Sequence, residues 1–111
     1  MTKVLEGIRV IDISTFQAAP FCCQTLADFG AEVIRVEPPG GAIDRELGPF
    51  ALSGENMAIG IYGRNKKGIT LDLRAERGKL LLEDLVKCSD VLVTNLTPRA
   101  VKDLVIGYEA L

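Results

Sequence analysis

The chain has 111 residues, 48% apolar and 25% charged, with 13 basic against 15 acidic side chains and a formal net charge of −2. Those are the proportions of one globular domain and not of a disordered or fibrous chain. The near-balance of charge argues against a general nucleic-acid binder. No apolar run approaches the ~18 residues of a membrane span and no secretory h-region opens the chain, so a cytoplasmic protein is expected.

Ile8–Ile13 is a run of mostly β-branched apolar residues and predicts a buried parallel strand. Ser14–Ala19 predicts a loop, and Pro20 suits the first turn of a helix, where a missing N–H costs nothing. Phe21–Phe29 carries Cys22, Leu26 and Phe29 at helical spacing as a candidate inward face, and Gly30 stands where a C-terminal cap belongs. Glu32–Val36 predicts the second strand, which completes a βαβ unit. A long loop is expected over about 37–67, opened by Pro38-Pro39-Gly40-Gly41, with a helical turn or short strand within Glu55–Tyr62. Ile69–Leu73 alternates and predicts a third strand. Glu76–Lys87 predicts a helix with Leu81, Leu82, Leu85 and Val86 inward. Asp90–Thr94 predicts a fourth strand, Pro98–Leu104 begins another helix, and Gly107–Leu111 reads as the opening of a further one. This order implies a single α/β segment with a parallel sheet. Such sheets need helices on both faces. With about three helices for four strands, one face is expected to be under-covered and open to a partner chain.

Composition narrows the chemistry. The chain has no histidine, which excludes a Ser-His-Asp triad, a Cys-His pair and a His-ligated zinc within it. It has no tryptophan, and aromatic residues make up 5%, too few for a base-stacking surface. Cys22, Cys23 and Cys88 have neither the number nor the spacing of a disulfide framework or a zinc site, so no metal is expected and reduced thiols are. Cys22 and Cys23 fall in a first helical turn, where a helix dipole lowers a thiol pKa, but no histidine is present as a base; they read as packing residues.

Ligands of open α/β sheets bind beyond the carboxyl ends of the strands. Four segments meet there: Ser14–Ala19, Glu37–Gly41, Asp72–Ala75 and Asn95–Arg99. The first lacks the GxGxxG of a dinucleotide site, which sets aside a standard NAD or FAD fold. It does offer Gln17 at the mouth of a helix N-terminus. Asp12 and Asp72 are ligand groups or, more commonly, satisfied structural carboxylates. The run Arg64-Asn65-Lys66-Lys67, then Arg74, Arg77 and Lys79, and later Arg99 and Lys102, supply cations for a phosphate or form a solvated face.

Several stretches together resemble the N-terminus of the family III CoA-transferases (CaiB/BaiF type), the group of formyl-CoA transferase, carnitine CoA-transferases and α-methylacyl-CoA racemase. They are Val4–Ile13 with Gln17-Ala18-Ala19-Pro20, Leu26–Gly41, Arg64–Leu73, Ser89–Pro98 and Gly107–Leu111, in order and with family-like spacing. The resemblance implies a Rossmann-like parallel sheet with flanking helices, incomplete relative to the full family fold. It also implies coenzyme A or an acyl-CoA as the substrate bound. Carried over, the contacts are Gln17 and Ala18 at the first turn, Leu71, Asp72, Leu73 and Arg74 after the third strand, and Asn95, Leu96 and Thr97 after the fourth.

The chain departs from the family pattern at three positions. Pro38 stands where the family often has a basic residue, Asp103 where it often has an arginine, and Ala19 where it has glycine. In the family's transferases an aspartate attacks the acyl-CoA; in its racemases a histidine and an aspartate exchange the α-proton. Both sets lie downstream of the matched region, so the resemblance implies CoA-ester binding here without catalytic residues. Interlocked dimers are a further implication, met by a homo-oligomer or by the missing C-terminal chain. Two other readings stand beside it. One is a non-catalytic stand-alone α/β module that binds a nucleotide-like ligand or self-assembles. The other is a thiol protein using Cys22 or Cys23.

Overall fold

A computed structural model describes residues 2–111. Four parallel strands, β1 (Arg9–Ile13), β2 (Glu32–Glu37), β3 (Lys67–Thr70) and β4 (Val91–Thr94), form one sheet in the order β3-β2-β1-β4. Four helices accompany them: α1 (Ala18–Asp28), α2 (Met57–Tyr62), α3 (Glu76–Lys87) and α4 (Pro98–Leu104). Short 3-10 turns lie at Ile43–Arg45 and Tyr108–Ala110. The expected α/β class, the parallel sheet and the boundaries of α3 and α4 are all found.

Alternation along β1 divides the molecule into two layers. Ile11 and Ile13 point to one face, where they meet Val36, Leu71, Leu82 and Ile106 together with the apolar sides of α3 and α4. Val10 points to the other face and packs with Val33, Cys23, Ala27 and Ala31 under α1. Each layer removes β-branched side chains from water, and the two-residue period of the strand does the sorting.

Several expectations are corrected. The inward face of α1 is Pro20, Cys23, Gln24 and Ala27; Cys22 and Phe29 are exposed, and Leu26 packs at the margin. Pro20 lies in the first turn of α1, as expected, and the face that continues from it through Cys23, Gln24 and Ala27 is the one that packs on Val10 and Val33. In α3, Leu82 is fully buried and Leu85 and Val86 pack beside it, but Leu81 faces solvent. The third strand lies earlier than expected, and Leu71–Arg74 leave the sheet. The Leu71 amide donates to the Glu37 carbonyl at 2.9 Å, and Asp72 Oδ1 then accepts from the Arg74 amide at 3.0 Å, closing an Asx turn that ends the ladder. α2 occupies the helical part of the long loop, capped by Asn56, whose Oδ1 accepts from the Ile59 amide.

Candidate functional site

The strand order decides where a ligand can enter. The connection after β1 leads to β2 and β3 on one side, whereas β4 returns to the other side of β1. The carboxyl ends of β1 and β4 therefore flank the topological switch point, the place where loops diverge and leave a crevice. The four segments singled out from the sequence come together along this edge.

Two cavities open on it. The larger, about 560 Å³, is lined by the ends of all four strand segments: Ile13–Thr15, Val36–Pro39, Leu71–Arg74 and Leu96, with Ala42, Ile43 and Leu104 completing its wall. The smaller, about 290 Å³, lies beside Phe16, Gln17, Pro20, Arg35, Asp44, Leu47, Ile59 and Tyr62. The turn from Ser14 to Gln17 contributes to both. Its first residues border the larger cavity and its last the smaller one.

Of the candidate residues, Leu71, Asp72, Leu73, Arg74 and Leu96 line the larger cavity and Gln17 lines the smaller. Ala18 is the first residue of α1. Asn95 spans the switch point: its Oδ1 accepts from the Thr15 amide at 3.0 Å and its Nδ2 donates to the Thr15 carbonyl at 2.7 Å. Thr97 caps α4, its Oγ1 accepting from the Ala100 amide at 3.2 Å, and Pro98 follows at the first helical position. Arg74 is exposed, and its guanidinium has no hydrogen bond or ion pair among the described residues. It is a cation at the mouth of the larger cavity that is free to meet an anion.

Two buried ionic clusters support this edge, and the sequence shows neither. In the first, the Asp12 carboxylate is wholly buried. Lys66 Nζ donates to its Oδ2 at 2.8 Å and to the Pro20 carbonyl at 2.9 Å, with a side chain only 2% exposed, while the Ser14 hydroxyl donates to Oδ1. Lys66 is thus not a cation for a ligand but the counter-charge that allows Asp12 to sit inside the sheet. Its neighbours serve similar ends: Arg64 pairs with Asp28, Asn65 Nδ2 donates to the Ala27 carbonyl, and Lys67 pairs with Glu32. The basic run is spent on α1 and β2. Cys23 lies against the same carboxylate. Burial first, and the Asp12 charge second, push its thiol up to about 12, the wrong direction for a nucleophile.

The second cluster ties the long loop to β2. Arg35 Nη2 grips both oxygens of Asp44 at 2.8 and 2.7 Å, and Arg45 holds Glu37 with two bonds of 2.6 Å. The Ala42 amide donates to Glu37 Oε2 at 2.9 Å. Arg45 is the main reason that the Glu37 carboxyl is held down at about 2. Arg35 Nε is, among the described residues, the buried side-chain nitrogen with no hydrogen-bond partner; Glu37 Oε1 is 3.7 Å from it.

Comparison with known proteins decides the family. The profile of CoA-transferase family III matches residues 5–111. The chain belongs to this family. It is 44% identical over 110 residues to the succinyl-CoA–D-citramalate CoA-transferase of Chloroflexus aurantiacus, covering 98% of this chain and 27% of that one. Against the succinyl-CoA:glutarate CoA-transferase of Mus musculus it is 38% identical over 108 residues, covering 96% of this chain and 25% of the relative. A CaiB/BaiF family protein from Brucella suis has the same fold, with a TM-score of 0.88 at 32% identity over 99% of this chain and 30% of that structure. The chain thus spans about a quarter of the length of the curated relatives it matches.

Proposed function

We propose that this chain is the N-terminal part of a family III CoA-transferase or acyl-CoA racemase, and that it contributes to CoA-ester binding but supplies no catalytic residue. The observation that carries this reading is the larger cavity. It gathers Leu71–Arg74 and Leu96, chosen from the sequence, at one sheet edge in a chain of this family, and Arg74 stands unpaired at its mouth. The cavity falls within the size range of small-molecule sites. Its largely apolar wall suits a pantetheine arm, backbone groups of Leu71–Leu73 suit amides, and Arg74 suits a phosphate. Gln17 and Ala18 bind at the start of α1, where free N–H groups face an anion or a carbonyl oxygen. Asn95 and Thr97 complete the set by shaping the edge. The whole protein moves CoA between carboxylic acids or epimerises a 2-methylacyl-CoA, in a homo-oligomer or with the remaining family chain, and in the cytoplasm.

Calorimetric titration with CoA, with NAD as control, tests the reading. Saturable CoA binding without NAD binding is expected, with Arg74→Ala and Gln17→Ala each weakening it by about tenfold, the loss of one charge-assisted hydrogen bond. A protein that is folded by circular dichroism and binds neither ligand would overturn CoA binding by this chain and favour the stand-alone assembling module.

A further inference from the structure

The turn from Ser14 to Gln17 is held more firmly than a loop requires. Phe16 has φ +67°, the left-handed region that side chains other than glycine and asparagine enter at a cost. Three side chains hold the turn around that residue, two of them from distant segments. Asn95, after β4, accepts the Thr15 amide and donates to the Thr15 carbonyl. Asp44, from the long loop, accepts the Phe16 amide at 3.1 Å while both its oxygens are gripped by Arg35. Asp12, braced by Lys66, accepts the Ser14 hydroxyl. The two cavities meet at this turn: Ser14 and Thr15 line the larger one, Phe16 and Gln17 the smaller.

We propose that Asn95 and Asp44 are positioning residues, which clamp this turn across the switch point in its strained form and so set Ser14–Thr15 against the larger cavity and Gln17 against the smaller one. The clamp acts through the backbone of Thr15 and Phe16. It preorganises the edge, so that a ligand need not order the turn on binding. Strain persists at Phe16 because the surrounding bonds over-determine it, which is how strained residues come to mark functional sites. The proposal rests on the CoA-binding reading for its consequence but not for its geometry.

Amide hydrogen exchange and CoA titration on the full chain, taken together, test it. The Thr15 and Phe16 amides are expected to exchange slowly in the free protein. Asn95→Ala should speed exchange at Thr15 and Phe16 by at least about tenfold, leave the Ile11 amide unchanged, and lower CoA affinity by about tenfold. Phe16→Gly in the Asn95→Ala background should restore part of that affinity, because glycine adopts φ near +67° without steric cost. A residue that merely stabilised the fold would raise exchange at every amide together and show no rescue; that result, or unchanged exchange at Thr15, would overturn the clamp. If the unmodified chain fails to bind CoA, the binding reading fails, and local exchange at Thr15 and Phe16 still decides whether the turn is clamped.

Discussion

The body of the sheet and its carboxyl edge are built on different physics. The body is apolar: Val10, Ile11, Val33 and Leu82 are 1% exposed or less and held by packing. The edge is ionic: Asp12, Arg35, Glu37, Asp44 and the Lys66 side chain are buried with their charges paired. Apolar packing tolerates changes of similar volume. A buried ion pair fixes a geometry but tolerates the loss of neither partner. The carboxyl edge is therefore the part of the molecule where single substitutions should have the most specific consequences.

The sharpest way to break this comparison is at Lys66. Lys66→Ala leaves Asp12 charged, buried and unpaired and should destabilise by about 3–5 kcal/mol. Lys66→Met combined with Asp12→Asn should recover most of that loss, because the cost lies in the orphaned charge. Urea unfolding of the two variants checks both signs. Equal destabilisation by the single and double variants would show that the pair is held by packing alone.

The next effect is at Gly78, where body and edge meet. A Cβ there would sit 1.9 Å from the Asp72 carbonyl oxygen, closer than any real contact. Helix propensity alone predicts that Gly78→Ala stabilises α3 by about 1 kcal/mol. Close approach to the Leu71–Arg74 turn predicts a loss of about 1–3 kcal/mol instead. The sign of the change in urea midpoint decides between them.

Glu37 sharpens the comparison through pH. Its folded pKa of about 2 lies below its ordinary 4.5, so the stability it contributes is complete above pH ~4.5 and is lost as the pH falls toward 2. Arg45→Ala removes the main cause. The acid unfolding midpoint should then move up by roughly half a pH unit, with stability at pH 7 falling by a smaller amount than in the Lys66 variant, because Arg45 is half exposed. The smallest effect is one of reactivity. Cys22 and Cys88 are exposed and should label with a thiol reagent in the native state, whereas Cys23 should label only on unfolding.

The same contrast explains what was legible in the sequence. Ile11 and Ile13 announce a strand and α3 announces itself by its apolar period, while Thr97 and Pro98 mark the start of α4, because period and capping are local signals. The ionic edge has no such signal. Asp12 and Lys66 are 54 residues apart, and Thr15 and Asn95 are 80 apart. No local pattern joins them, so the basic run Arg64–Lys67 read as cations for a phosphate or as a solvated face, whereas Lys66 belongs to the interior. The misplaced third strand is a different case. Leu71 and Leu73 continue the alternation of Ile69, but Asp72 two residues before Arg74 is an Asx-turn signal, and Gly78 in an otherwise good helix marks a close backbone approach. Both signals were in the sequence. The larger cavity was legible as a set of strand ends; the smaller one was not, because its far wall comes from the long loop and α2.

The most direct test of a CoA-ester site at the carboxyl edge is a two-dimensional amide NMR titration of the labelled chain with CoA. Saturable shifts are expected at Leu71–Arg74, Leu96 and the Ser14–Ala18 segment, with Val10, Val33 and Leu82 unmoved. Shifts confined to other surfaces, or none at all in a folded chain, would contradict it.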